Sequence, residues 1–162
     1  MPLRPKNYYR PTNLDEALEY LNQPDSAPLG GGTRLLAGDI RASTIVDLQD
    51  VGLSGIEIAD GILRIGAATT LTDIIESDVM SGDTAGVLRE ALHNAGPNTF
   101  RNAATIGGVI GSRESNELLA LLLALNADLM MPNHTLSLAD YLVPDERPTG
   151  LIIAVEIPFR RG

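Results

Sequence analysis

The sequence predicts an α+β fold with two lobes, a small α/β lobe over residues 1–52 and a larger lobe of antiparallel sheet and helices over residues 53–162. Helical and strand patterns alternate up to about residue 50, whereas two hairpin signals frame several helices after it. The chain has 162 residues, of which 44% are hydrophobic, so it is long and apolar enough to bury a sizeable core.

The small lobe is predicted to begin with a helix of about two turns. Thr12 and Asp15 form the expected N-terminal capping pair, and apolar residues follow at helical spacing from Leu14 to Leu21. The segment SAPLGGGTRLL then predicts a short strand that runs into a glycine loop, and STIVDL predicts a second buried strand.

The larger lobe is predicted to open with a β-hairpin, because Asp60-Gly61 separates two alternating apolar runs. Thr70 and Asp73 form a second capping pair ahead of a short helix that ends at about Glu76. Apolar residues from Val87 to Ala95 indicate the next helix.

The last third of the chain is predicted to contain one helix and three strands. The apolar run from Glu117 to Leu125 is a core helix, and a second hairpin turns at Asn133-His134. The segment TGLIIAVEIPF is the final strand, with Leu151, Ile153, Val155 and Ile157 on one face.

Composition excludes several classes of function. The chain has no cysteine, which rules out disulfides, thiolate chemistry and iron–sulfur ligation by these residues, so a redox role needs a bound organic cofactor. A net charge of -9 and a single lysine, Lys6, argue against nucleic-acid binding and exclude a P-loop lysine. No apolar run reaches the roughly 20 residues that span a bilayer. We therefore expect a cytoplasmic protein without membrane insertion.

Two glycine segments are the main functional signal: the first glycine segment, Gly30-Gly31-Gly32-Thr33, and the second glycine segment, Thr105-Ile106-Gly107-Gly108. Glycine allows positive φ and a close approach of backbone to ligand, so successive N–H groups can form an anion site. Two such segments could converge on a diphosphate. A tight connection without a ligand is the alternative for each, and neither segment matches a Rossmann or Walker motif.

Other residue types offer no catalytic or metal site. His93 and His134 lack the spacing of metal ligands, and no serine has a histidine partner that would suggest a hydrolase. Tyr8 and Tyr9 are interpreted as packing residues. We therefore predict no catalytic side chain and no bound metal.

Five segments in order and at family spacing resemble the FAD-binding domain of the molybdenum hydroxylases, which include the flavin subunits of carbon monoxide dehydrogenase and xanthine dehydrogenase. The resemblance extends from Tyr8 to Pro158 and implies a two-lobed FAD-binding domain of the vanillyl-alcohol-oxidase type. The ATIGG motif after Arg-Asn is its most specific part. The segments are YYRPTNLDEALEYL, PLGGGTRLLAGDI, STIVDL, LRIGAATTLTDI and FRNAATIGGVI with the apolar helix behind it.

The resemblance implies that the two glycine segments together hold the FAD diphosphate. Leu35 would flank the cofactor, Arg101 and Asn102 would set up the second glycine segment, and Glu117 is a candidate to replace an acid of related domains. A helix N-terminal acid without ligand role is the alternative for Glu117. The cofactor-binding residues implied are Gly30, Gly31, Gly32, Thr33, Arg34, Leu35, Arg101, Asn102, Thr105, Ile106, Gly107, Gly108 and Glu117.

The implied function is an FAD-binding electron-transfer subunit or domain of a molybdenum-hydroxylase-type oxidoreductase. Its partners would be a molybdenum-cofactor subunit and an iron–sulfur subunit, and electrons would leave through FAD to an acceptor. A homo-oligomer is left open.

Several departures from the family pattern leave a second hypothesis open. Arg34 replaces an acid, Val109 replaces an asparagine, the segment 111–117 differs, and related flavin subunits continue into a further C-terminal domain. A non-catalytic scaffold, or a module for another nucleotide, would keep this fold without FAD. A third reading is that the sequence is the flavin domain of a longer subunit.

Overall fold

The computed structural model describes residues 5–38, 41–113, 115–143 and 150–159. The described elements confirm the α+β class. In chain order they are β1 (Asn7–Tyr9), α1 (Leu14–Leu21), β2 (Ser26–Leu29), α2 (Thr33–Leu36), β3 (Thr44–Asp47), β4 (Ile56–Ala59), β5 (Ile62–Gly66), α3 (Leu71–Glu76), α4 (Asp83–Asn94), α5 (Asn98–Ala103), α6 (Ile106–Ser112), α7 (Asn116–Ala124), β6 (Asp128–Met130), β7 (Thr135–Ser137), α8 (Leu138–Leu142) and β8 (Ala154–Pro158).

A small parallel sheet of order β1-β3-β2 forms near the N-terminus. The central strand β3 is buried at all four positions, as expected for a strand covered on both faces. Leu29 at the end of β2 pairs with Asp47 at the end of β3, so both strands point their carboxyl ends at one edge. The first glycine segment leaves the sheet at that edge.

Helix α1, between β1 and β2, begins one residue later than the capping pattern predicted. Asn13 is the N-cap, and its side-chain oxygen accepts a hydrogen bond of 2.9 Å from the amide of Glu16. Glu16 in turn accepts from the amide of Thr12 at 3.0 Å. The Thr12–Asp15 pair was therefore wrong by one position, because asparagine caps as well as threonine does.

The larger sheet is antiparallel, with the order β4-β5-β8-β6-β7. Both predicted hairpins are confirmed, β4–β5 and β6–β7. Asp60 and Gly61 adopt φ of 51° and 74°, the positive values that a two-residue hairpin turn of this type requires.

Two clusters of buried residues form the cores. The larger contains Val155 and Ile157 of β8, whereas Leu151 and Ile153, just before β8, pack with the smaller cluster around Ala17 and Val46. The predicted single apolar face of the last strand is thus shared between two cores. The division of the chain at residue 52 stays a prediction.

The strand β1 and the helices α5, α6 and α8 were not predicted from the sequence. Gly107 and Gly108 lie in the first turn of α6, not in a loop, because Thr105 caps that helix: its hydroxyl oxygen accepts from the amide of Gly108 at 3.2 Å. The predicted apolar helix is confirmed as core helix α7, which packs against α4 and α8.

Candidate functional site

A cleft of about 380 Å³ lies between the carboxyl edge of the parallel sheet and helix α6. Ligands of open sheets with parallel strands commonly bind at that edge. One wall comes from the end of β2 and the first glycine segment, and the facing wall comes from Ala67, Ala68 and the exposed side of α6. The cleft volume falls within the usual range for a site that holds a small organic molecule.

The first glycine segment presents unpartnered backbone donors to the cleft. Within the described ranges, the N–H groups of Gly30, Gly31 and Gly32 donate to no other protein group. Gly32 has a φ of 75°, the left-handed conformation that glycine adopts most readily. Thr33 and Arg34 follow in α2 and also line the cleft.

The second glycine segment uses its amides to hold itself in place. Ile106 donates to the carbonyl of Thr69 at 3.0 Å, and Gly107 donates to the carbonyl of Ala67 at 2.9 Å. The amide of Gly108 is taken by the cap on Thr105. The donors best placed for an anion therefore come from the first glycine segment, while the second supplies a close wall.

The two segments meet directly, and this contact explains two of the glycines. A Cβ atom on Gly31 would lie 1.6 Å from the carbonyl oxygen of Ala103. A Cβ on Gly30 would lie 2.7 Å from the hydroxyl oxygen of Thr105. Glycine is needed at these two positions because the backbone packs directly against residues 103–105 of the same chain. The sequence analysis did not foresee this role.

The structure brings most of the predicted cofactor residues to one cleft but not all of them. Gly30, Gly31, Gly32, Thr33, Arg34, Thr105, Gly107 and Gly108 line it. The side chain of Leu35 lies outside the described part of the structure. Four predicted residues are not among those that line the cleft: Arg101, Asn102, Ile106 and Glu117.

Each of these four has another place in the fold. The guanidinium of Arg101 donates to the carbonyls of His93 and Gly96, at 3.0 and 2.6 Å, and so ties α5 to the end of α4. Asn102 accepts from the Thr72 hydroxyl at 2.6 Å. Ile106 is 1% exposed and belongs to the larger core.

Glu117 is solvent-exposed in the first turn of α7. An acid in the first turn of a helix interacts favourably with the helix dipole. Its position therefore fits the alternative reading, a helix N-terminal acid.

The sequence analysis missed one end of the cleft. Gly111 and Ser112 on α6, Tyr141 on α8, and Leu151 and Ile152 ahead of β8 also line it. Small residues at 107, 108, 111 and 112 recur at helical spacing. Once α6 is recognised as a helix, this spacing predicts that all four lie on the side that lines the cleft. Tyr141 carried no sequence signal, because nothing local indicates which cleft an aromatic residue of a short helix will reach.

A hydrogen bond at the small sheet shifts the pKa of one of its tyrosines. The Tyr8 hydroxyl donates a hydrogen bond to the buried carboxylate of Asp47, and this bond raises the pKa of Tyr8 above its usual value. Tyr8 is 56% exposed, so it does not pack as closely as predicted, whereas Tyr9 stacks on Tyr20 with ring centroids 4.1 Å apart. The described ranges contain no cluster of potential metal ligands and no helix able to cross a membrane.

Comparison with known proteins decides the family. Residues 4–160 match the family model described as the FAD binding domain in molybdopterin dehydrogenase. The chain belongs to this family. FAD is therefore the cofactor of its class, and the resemblance to flavin subunits drawn from the sequence is confirmed.

Curated relatives of this flavin domain are longer than the chain. The uncharacterized protein YgfM of Escherichia coli K12 is 35% identical over 96% of the chain, which covers 61% of YgfM. The putative xanthine dehydrogenase FAD-binding subunit XdhB of the same strain is 38% identical over 64% of the chain and 38% of its own length.

Solved structures share the fold of this flavin domain. Carbon monoxide dehydrogenase from Hydrogenophaga pseudoflava matches with a TM-score of 0.88 at 24% identity, over 100% of this chain and 61% of that one. The enzyme from Oligotropha carboxidovorans matches with a TM-score of 0.85 at 26% identity, over 99% of this chain and 61% of that one.

The cleft of this flavin domain fits a dinucleotide cofactor. Three successive amides on the first glycine segment, which have no partner among the described residues, provide donors for phosphate oxygens. Arg34, also lining the cleft, adds a cation in a chain of net charge -9, where the overall field repels anions. Apolar residues on either side of the glycines supply surface for the rest of such a molecule.

Proposed function

We propose that this flavin domain is the electron-transfer part of a molybdenum-hydroxylase-type oxidoreductase, working with a molybdenum-cofactor subunit and an iron–sulfur subunit. FAD, when bound, supplies the electron-accepting and electron-donating chemistry between the iron–sulfur partner and a final acceptor. The names of two relatives support this, an FAD-binding subunit of a putative xanthine dehydrogenase and one of an aldehyde oxidoreductase. The 162 residues of this chain include no cysteine, so iron–sulfur clusters would be held by another chain.

The observation that carries the proposal is the meeting of the two glycine segments at one cleft. The amides of Gly30, Gly31 and Gly32 would hold the FAD diphosphate from one side. Thr33 would add a hydroxyl donor. Residues of the second glycine segment would form the opposite wall, fixed by their own hydrogen bonds so that the cleft needs no rearrangement on binding.

The position of Val109 weakens the scaffold alternative. Val109 is 1% exposed, packs in the larger core and is not among the residues that line the cleft. The valine that stands where related domains have an asparagine therefore removes no hydrogen-bonding group from this cleft. Val109 gives no reason to expect a missing cofactor contact in this cleft.

FAD uptake by the purified protein tests cofactor binding. The protein is incubated with FAD and passed through gel filtration, and the flavin absorption of the protein peak is measured. We expect flavin to remain with the protein in near-stoichiometric amount. A folded protein that elutes colourless at FAD concentrations well above micromolar would refute the proposal and favour the scaffold.

Thr33→Val and Thr33→Ser form a matched pair that tests the donor set. Valine keeps the shape of threonine and removes the hydroxyl, so we expect FAD affinity to fall by about 10- to 150-fold, since a hydrogen bond to a charged group contributes on the order of 1.5 to 3 kcal/mol. Serine restores the hydroxyl and should recover most of the affinity. Equal affinities for the two variants would remove Thr33 from the diphosphate site.

Isolation of the chain from its native host tests the partnership. A tagged chain purified under mild conditions should carry molybdenum and iron in addition to flavin, and metal analysis measures both. Flavin without either metal, from cells grown with molybdenum, would contradict the proposed assembly.

A further inference from the structure

One side of the larger sheet is exposed to solvent, whereas the other packs into the larger core through residues such as Leu63 and Val155. Side chains alternate between the two sides of a strand, and cross-strand partners lie on the same side, so the pairing register gives the members of the exposed side. We call this side the outer face. It contains an apolar row, Ala59, Ile62 and Pro158, and next to it a charged row, Glu57, Arg64, Glu156 and Asp128.

The charged row carries three carboxylates and one guanidinium. Arg64 lies between two of the acids, with Nη1 3.3 Å from a carboxylate oxygen of Glu156 and Nε 3.8 Å from one of Glu57. Asp128 is the cross-strand partner of Glu156 and forms no ion pair within the described residues. Like charges directly opposite each other destabilise a sheet. The pairing of Asp128 with Glu156 therefore costs the sheet stability and leaves negative charge available to a partner.

The apolar row borders these charges. Ile62 is 39% exposed, although most large apolar side chains of the described residues are buried. Its cross-strand partners, Ala59 and Pro158, are exposed as well. Apolar area beside charged groups is the arrangement of protein–protein interfaces, in which apolar contact excludes water and the charges select the partner.

A recess of about 310 Å³ opens on the other side of the charged row. It lies between Arg64 and the segment 52–55, and Glu57 lines it together with Leu53 and Ile153. A long basic side chain has the matching chemistry, because its methylene stem can lie on apolar surface while its charged end reaches a carboxylate.

The sign of the charge selects the kind of partner. The chain has a net charge of -9, so a second copy placed on this face would bring like-charged surfaces together. Nucleic acids and anionic membranes are also negative and would be repelled in the same way. A positively charged protein segment is attracted by the carboxylates that Arg64 does not neutralise.

We propose that the outer face is a docking surface for a basic segment of a partner protein. Arginine or lysine side chains of that segment face the charged row, one of them enters the recess beside Glu57, and apolar side chains cover Ile62. The inference goes beyond the proposed function, since no residue of the apolar row or the charged row lines the cleft.

A defined cationic peptide tests whether this face binds basic segments. The probe alternates valine and arginine over about seven residues, enough to cross the charged row because strands lie about 4.8 Å apart and an extended residue spans about 3.3 Å. The control peptide carries glutamate in place of arginine. Each is titrated into isotopically labelled protein at about 150 mM salt, where charges more than about 8 Å apart are largely screened, and amide shifts are followed by NMR. We expect the arginine peptide to shift amides of β4, β5, β6 and β8 most, and the glutamate peptide to leave them unchanged.

Two double variants of equal net charge locate the binding. Glu57→Gln with Asp128→Asn removes two carboxylates of the charged row, and Glu19→Gln with Glu90→Gln removes two exposed ones on α1 and α4. Each substitution removes one negative charge, so both proteins go from -9 to -7. The first variant should bind the arginine peptide about 2- to 25-fold more weakly, because one exposed ion pair shifts an equilibrium by roughly 1.4- to 5-fold. The second should stay within about 1.5-fold of wild type. Equal thermal midpoints show that both are folded.

Carboxylate labelling tests the same face in the native assembly. Carbodiimide with glycine ethyl ester modifies accessible carboxylates, and mass spectrometry gives the extent at each. In the chain purified with its partners, labelling of Glu57, Asp128 and Glu156 should be severalfold lower than in the chain alone. Labelling of Glu90, outside the outer face, should be unchanged.

The inference is overturned if the arginine peptide shifts other surfaces most strongly, or if the two double variants bind it equally. Full labelling of the three carboxylates in an assembly that contains partner proteins also overturns it. A wild-type dimer that Ile62→Asp dissociates would assign the face to a second copy of the chain and not to a basic partner. A chain that binds no FAD and carries no partner would refute the proposed function, and the peptide titrations would still decide this inference.

Discussion

Gly31→Ala tests the contact between the first glycine segment and Ala103–Ala104, the two residues just before the second glycine segment. The new Cβ would lie 1.6 Å from the carbonyl oxygen of Ala103 and 3.1 Å from the Cα of Ala104. Both are backbone atoms, so no side chain can turn away. The segments would have to separate by about 1.4 Å, the difference between 1.6 Å and the 3.0 Å below which real Cβ contacts essentially do not occur.

The expected cost lies at the upper end of the range for overpacking, about 3 kcal/mol. For a domain of this size each kcal/mol lowers the midpoint of thermal unfolding by about 2–4 °C, so the midpoint should fall by roughly 6–12 °C. Separation of the segments also widens the cleft where the diphosphate is proposed to bind. FAD affinity should therefore fall by at least about tenfold, equivalent to roughly 1.4 kcal/mol.

Circular dichroism on heating measures the first effect, and flavin titration well below the lowered midpoint measures the second. Gly86→Ala is the control, because its Cβ meets nothing within 4 Å and alanine favours a helix. It should stabilise the protein slightly and leave FAD affinity unchanged. A Gly31→Ala protein that unfolds within 2 °C of wild type would show that the two segments do not touch as described, and the argument for a shared cleft would lose its basis.

Further expectations concern residues outside the cleft. Tyr8→Phe should lower the unfolding free energy by about 1 kcal/mol or less near neutral pH, since the hydrogen bond to Asp47 is partly exposed. The raised pKa of Tyr8 means that the folded state favours the protonated hydroxyl, so the difference between the two proteins should persist to about pH 10 and shrink as pH rises further, in urea titrations at each pH. Arg101→Met should lower the thermal midpoint, because two carbonyls at the end of α4 lose their donor, and should change FAD affinity less than twofold; a tenfold loss of affinity with an unchanged midpoint would place Arg101 at the cofactor. Glu117→Gln should cost about 0.3–1 kcal/mol of stability through the helix dipole and leave flavin titrations unchanged, and a clear loss of affinity would restore its ligand role.

Local sequence patterns predicted the elements that depend on local chemistry. The Asp60-Gly61 turn forms because these two residues accept positive φ, and the hairpin around it follows from the alternation on either side. Thr70 caps α3 as predicted, its hydroxyl accepting from the amide of Asp73 at 3.1 Å. These caps and turns depend only on residues close in sequence, so the sequence alone is enough to predict them.

The elements that were missed depend on distant partners. The strand β1 has only three residues, and its pairing with β3 gives it strand character. The first turn of helix α6 contains two glycines, which are poor helix formers, and its start is held by carbonyls of the segment 67–69. No local pattern contains those hydrogen bonds.

The sequence by itself determined the family, the α+β class and two glycine segments suited to a diphosphate, because these follow from residue types and their order. Tertiary structure alone decided which residues share a cleft. Arg101 lies only four residues before the second glycine segment in sequence, yet its side chain lies on the end of α4, while Tyr141, far along the chain, lines the cleft. The direction of a side chain is set by the helix that carries it and by the surface against which that helix packs, and both are products of long-range contact.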